Sequence, residues 1–229
     1  MGFLMLQLLG DVVPFAVPVA MSPLPIIAAV ALLLAPAGTR GGVGFLIGRV
    51  VALAVCAFVV ALFAVRVGDE PGEAVERGGW LRVAAGVLVM LAAVAIWRMR
   101  PRGEAVAELP GWMRTIEKAS PAQALMFGAL LTVVNLKELA FVVGAGMIVG
   151  SAAVPALQAL AVSGVFAAVA GAGVAVPVVW ALVAGEGARR PLAAARDWLA
   201  RNNSIIAAAV MLVIGAMLVG SGIEGLGRE

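Results

Sequence analysis

Three polar residues within four positions, Asn135, Lys137 and Glu138, stand near the centre of an apolar run covering 122–150. A charge inside a bilayer costs about 2.5–3.5 kcal/mol on insertion scales, so an intramembrane ionisable residue marks a path for ions, protons or charged substrate groups. An amide, a cation and a carboxyl together can hold an anionic group, coordinate an ion and exchange a proton. Lys137 and Glu138 are neighbours in sequence and point about 100° apart on a regular helix, so each needs its own partner, unwound backbone or water. The first apolar run, 3–35, carries a second cluster: Pro14, Pro18, Ser22, Pro23 and Pro25. Each proline removes a backbone donor and clashes with the preceding turn, which predicts a break at Ser22-Pro23-Leu24-Pro25.

Half-helix ends at such breaks present unpaired N–H and C=O groups that can hold polar substrate atoms. The candidate binding site is therefore Ser22, Pro23, Pro25, Asn135, Lys137 and Glu138, with Asp11 as a further acid. Lys137 would engage an anionic group or pair with an acid, and Glu138 or Asp11 would take a coupling proton. The structural alternative is that the side chains near 135–138 cap their own broken helix and close a polar knot with the Ser22 to Pro25 break. A fourth intramembrane charge, Arg49, lies about two turns inside its run and is expected to snorkel to the interface as an anchor.

Other chemistry is excluded by what is missing. There is no histidine, and Cys56 is the only cysteine, which removes histidine catalysis, an internal disulfide and a thiolate metal cluster. No ATP-binding motif, paired acids or nucleophile–base spacing is present, so the chain reads as a non-enzyme with no cofactor and no metal.

The elements that must position the candidates follow from composition. Of 229 residues, 63% are hydrophobic and 13% charged, against about 25% charged in a soluble domain, which cannot hydrate a surface so poor in charge. The expected fold is an all-α polytopic membrane protein. Apolar stretches at 3–35, 43–65, 80–97, 122–150, 156–184 and 203–221 predict six transmembrane segments in one membrane domain spanning 1–229. Segments one and four, near 30 residues each, are too long for one straight crossing and are read as discontinuous. Two halves result, 3–97 and 122–221, joined by a cytoplasmic linker at 98–121. An odd number of crossings per half makes the second enter from the opposite side, a 3+3 inverted repeat of the kind secondary transporters use.

The net charge of +3 is a topology signal, with no nucleic-acid partner implied. Full crossings put ten basic residues, Arg40, Arg98, Arg100, Arg102, Arg114, Lys118, Arg189, Arg190, Arg196 and Arg201, on one face and four on the other. The rich face is then cytoplasmic, with both termini outside the cytoplasmic membrane. Re-entrant hairpins at segments one and four would divide the charges evenly, a rival topology that residue spacing leaves open. All five tryptophans, Trp80, Trp97, Trp112, Trp180 and Trp198, fall at segment ends. Two stretches, Trp112-Met113-Ile116-Ala119 and Leu192-Ala195-Leu199, read as interfacial connectors. Gly44-x-x-x-Gly48 and Gly146-x-x-x-Gly150 could let helices approach closely, a weak signal among 28 glycines. Gly171, Gly173 and Pro177 read as a kink.

The run Ser22-Pro23-Leu24-Pro25-Ile26-Ile27-Ala28, followed by Gly44-Phe45-Leu46-Ile47-Gly48, resembles the GAP family of actinobacterial membrane proteins, the glycolipid or peptidoglycolipid addressing proteins of sulfolipid-addressing type. So does Trp112-Met113-Arg114 through Ser120-Pro121-Ala122 and on to Asn135-Leu136-Lys137. The resemblance implies the LysE transporter superfamily, a six-span inverted repeat, and a role in moving or delivering cell-envelope glycolipids. The usual second motif is Asn-Pro-Lys; here Leu136 takes the proline's place. A related branch relays electrons through paired cysteines on the two broken helices, and Cys56 is on neither. Alternatives to lipid export are a small-solute, amino-acid-type exporter and a non-transporting accessory protein of a lipid-export machine. Partners are membrane lipids, the cargo, and a homo-oligomeric or export-machine protein.

Overall fold

The structure, a computed structural model, describes residues 2–67, 73–98, 115–116 and 118–226. The linker expected at 98–121, with Trp112, Met113 and Arg114, lies largely outside these. The described residues form helices and turns with no strand. In chain order the helices are α1 (Gly2–Ala20), α2 (Pro23–Leu34), α3 (Gly38–Val67), α4 (Glu73–Arg98), α5 (Pro121–Val134), α6 (Leu136–Ser151), α7 (Ala156–Ala184) and α8 (Arg189–Leu226), with a 3-10 turn at Gly185–Ala188 before α8.

By length and apolar composition, two stretches can each cross a membrane alone, Gly38–Ala64 and Ala156–Met217. The count is four if each bent pair is one span: Met5–Ala20 with Pro23–Leu34, bent by 57°, and Pro121–Val134 with Leu136–Ser151, bent by 77°. Both discontinuities thus fall where prolines and polar residues predict them. Pro14 and Pro18 stay inside α1, and the chain breaks after Ala20, so that Pro23 and Pro25 open α2, where a first turn has no use for their missing N–H groups. The second break forms without a proline: Asn135, at φ −79° and ψ 87°, ends α5 and starts α6. Between α7 and α8, Gly185 adopts φ +53°, a left-handed backbone that a side chain would strain.

The packing divides into two compact units, residues 1–67 with 108–200, and residues 68–107 with 201–229. In the first, α3 is the hub, touching α2, α5, α6 and α7, while α1 lies on α6 and α7. The glycine pairs earn their place here. A Cβ at Gly48 would run into the Leu125 carbonyl of α5, and one at Gly128 into the Phe45 carbonyl of α3, so the two backbones cross in contact. Gly146 and Gly150 of α6 meet α3 at Ala57 and Ala61 in the same way. Without a hydrophobic drive between helices in lipid, such backbone approach supplies the dispersion contacts that hold them. Gly171 and Gly173, expected at a kink, are packing glycines in an unbroken α7; a Cβ on either would strike Val50 or the Ala20 carbonyl.

Ile116, Ala119 and Leu192 are buried in one cluster with Ala28, Leu32 and Phe45. The expected interfacial connectors therefore bury these residues in the protein, and among the described residues of their named faces Ala195 is exposed and Leu199 half-buried. Trp97, Trp180 and Trp198 are 45%, 43% and 53% exposed. Within the second unit, α4 and the end of α8 cross where Gly86 meets the Gly215 carbonyl, the same small-residue device.

Candidate functional site

The two breaks converge on α3, and the side chain that joins them is Arg49. Its position, fixed by the Gly48 and Gly128 crossing, puts the guanidinium 1% exposed in the interior of the first unit. Arg49 Nη2 lies 2.8 Å from Glu138 Oε2, whose side chain is also 1% exposed. The contact is a close ionic pair rather than an aligned hydrogen bond. The same Nη2 donates to the Val19 carbonyl at 3.4 Å. That carbonyl belongs to the last turn of α1, where the helix has stopped supplying N–H partners, and it also accepts from the Ser22 N–H at 3.2 Å. One arginine therefore touches the C-terminal end of the first broken helix and the first turn of the second.

Around Glu138 the second break is closed locally. Asn135 Nδ2 donates to Glu138 Oε1 at 2.9 Å, so its amide braces the carboxylate instead of capping α6. The acid also sits in the first turn of α6, where the helix dipole favours negative charge. One turn earlier, the buried Thr132 hydroxyl returns to the Gly128 carbonyl at 3.0 Å. The helix leading into this break starts from a full capping box, with Ser120 Oγ accepting from the Gln123 N–H at 3.3 Å and Gln123 Oε1 from the Ser120 N–H at 2.8 Å.

Of the residues expected at the site, the structure brings Ser22, Asn135 and Glu138 into this chain of contacts, with Arg49 between them. Pro23 and Pro25 are buried in the turn that follows. Lys137 is half-buried beside Glu138 on α6. Asp11 is not part of the group: it is exposed, about two turns up α1 from Val19, while Leu8, Val12, Ala16 and Val19 form the buried stripe. Arg49 overturns its expected role. Counting residues to the end of its apolar run suggests a snorkelling anchor, but Arg49 lies on the covered face of α3, 1% exposed, and pairs with Glu138, while Ile47 and Val51 on the other face are exposed. The signal that pointed inward was Gly44 and Gly48 immediately before it.

Several polar atoms remain unmatched by protein. Arg49 Nε and Nη1, Ser22 Oγ and Ser163 Oγ are buried without a hydrogen-bond partner among the described residues, and Glu138 Oε2 has the Arg49 ion pair but no hydrogen bond. Nor do the described residues hold a group of three or more acids or cysteines suited to a metal.

Helices apolar enough to cross a membrane, two bent pairs among them and both held by the buried Arg49 of α3, define a polytopic helical membrane protein with a polar centre. The chain belongs to the family of Sap, sulfolipid-1-addressing protein, whose family model matches residues 12–224 and so takes in both breaks and Arg49. No curated protein and no solved structure matches the chain. The membership makes this a lipid-related membrane protein.

Proposed function

We propose that the protein is a secondary transporter of the GAP type within the LysE superfamily, moving or delivering a cell-envelope glycolipid across the cytoplasmic membrane. The observation that carries this reading is the Arg49 bridge between the Val19 carbonyl and Glu138, because it links the two discontinuous helices at one buried polar point. A transporter needs such a point near the middle of its fold, held by groups that can re-pair as the halves move. Family membership favours a lipid cargo over the amino-acid-type solute. The protein acts without catalysis of its own, and lacking an ATP motif it draws on an ion gradient or a partner.

The reading includes six spans as a 3+3 inverted repeat, with both termini outside. Supporting it, each half opens with a bent pair, at 57° and 77°. The left-handed Gly185 separates α7 from α8. The compact units also cut each half alike, leaving α4 and most of α8 apart from the rest.

The test is reconstitution in liposomes with a fluorescent glycolipid, following its protection from a membrane-impermeant quencher. Transfer by wild type, strongly reduced in Glu138→Gln and Lys137→Ala, is the expected result. Undiminished transfer in both variants would remove the site assignment. No transfer by the protein alone, with a partner co-purifying, would favour the accessory role.

A further inference from the structure

We infer that Arg49 carries a second binding function: its N–H groups left without protein acceptors, with the Ser22 hydroxyl, form a buried oxyanion-binding site between the two broken helices. The inference rests on reading those breaks as the cargo site and names the chemistry of the group bound there.

An arginine has five N–H donors in a fixed fork. Both protein contacts of Arg49, to Glu138 and to the Val19 carbonyl, fall on Nη2, which leaves the three donors on Nε and Nη1 unmatched at 1% exposure. Ser22 Oγ, 3% exposed and likewise unmatched, belongs to the residue whose N–H shares the Val19 carbonyl with Arg49, so both stand at the same turn. Each buried unmatched donor is costly, which makes an orphaned guanidinium flank a call for acceptors.

The donors decide what kind of acceptor. The Arg49–Glu138 pair is formally neutral, and beside it three guanidinium N–H groups and the Ser22 hydroxyl stand without acceptors. Water brings as many donors as acceptors and meets that need only in part. An oxyanion brings acceptors only, and a guanidinium matches its geometry. The same oxyanion chemistry can come from a lipid headgroup or from a free inorganic ion.

The experiment uses the full-length protein in phosphatidylcholine nanodiscs, with thermal unfolding followed by tryptophan fluorescence. One arm titrates sodium sulfate against sodium chloride at matched ionic strength; the other mixes phosphatidylglycerol into the disc. A saturable rise in Tm specific to sulfate assigns a free anion, one specific to phosphatidylglycerol assigns a headgroup, and either supports the site. Arg49→Lys keeps a cation for Glu138 but loses the fork, and should weaken the response about tenfold or more. Ser22→Ala, which leaves the ion pair alone, should weaken it several-fold and serves if the arginine variant does not fold. Equal responses to sulfate and chloride and to both lipids, or variants that respond like wild type, would overturn the inference. Absent lipid transfer with the anion response intact would sink only the transport reading.

Discussion

Removing one partner of the Arg49–Glu138 pair should be far more damaging than removing both. At 2.8 Å and an effective dielectric near 20, the attraction is roughly 6 kcal/mol before desolvation is set against it. Both side chains are 1% exposed, so water cannot take over when one is lost. Arg49→Leu or Glu138→Leu should therefore each destabilise by about 3–5 kcal/mol, because each strands a buried charge. The double variant discards both charges and both desolvation costs and should lie within about 2 kcal/mol of wild type, on either side. A double-mutant cycle by reversible unfolding in mixed micelles measures this coupling, and raised salt should leave it nearly unchanged because the pair is sheltered from counterions. Single variants that each lose less than about 1 kcal/mol, or effects that simply add, would refute the buried-pair account. A stable double variant that no longer transfers lipid would show the pair is kept for function.

Other perturbations read different parts of the structure. Gly48→Ala drives a Cβ into the Leu125 carbonyl and should cost about 1–3 kcal/mol, whereas Gly164→Ala, with open space around it, should gain up to about 1 kcal/mol of helix stability by the same assay. Ser120→Ala removes the capping box of α5 and should cost about 1 kcal/mol, seen as faster hydrogen exchange in the first turn of that helix. Ala153 is the one non-glycine with positive φ among the described residues, so Ala153→Gly should raise stability by about 1 kcal/mol or less. Asp11→Asn should leave stability within about 0.5 kcal/mol of wild type, the residue being exposed and apart from the pair.

Both breaks were legible because their causes are local. Consecutive prolines after Ser22 and a polar cluster in an apolar run interrupt a helix whatever surrounds them. Asn135 breaks its helix without a proline beside it, its side chain bonded to Glu138 instead of capping α6. Arg49 was misread for the opposite reason. Whether an arginine snorkels depends on what covers it, and the Arg49 face of α3 is covered by α5 and α6, distant in sequence, which apolar periodicity cannot reveal. The glycine pairs held that information, but their spacing is common by chance, and only the meeting of Gly48 with Leu125 and of Gly128 with Phe45 gives it meaning.

The placement of Arg49 also bears on why the acid follows Lys137 directly. On α6 the two side chains diverge, so Glu138 turns to α3 and takes Arg49, leaving the lysine half-buried beside the pair. One carboxylate thus stands within the field of two cations on different helices. If the broken helices shift against α3 and the Arg49 pair opens, Glu138 keeps the Asn135 amide that moves with it, which lowers the cost of the change. An oxyanion on Arg49 would compensate the guanidinium at the moment the carboxylate leaves. In that exchange cargo binding and helix movement become the same event, and Glu138→Gln should uncouple them: anion binding to Arg49 should tighten, since its internal competitor is gone, while transfer falls. Tighter sulfate or phosphatidylglycerol binding with slower lipid transfer in this variant is the expected pairing, and weaker binding alongside slower transfer would break the link.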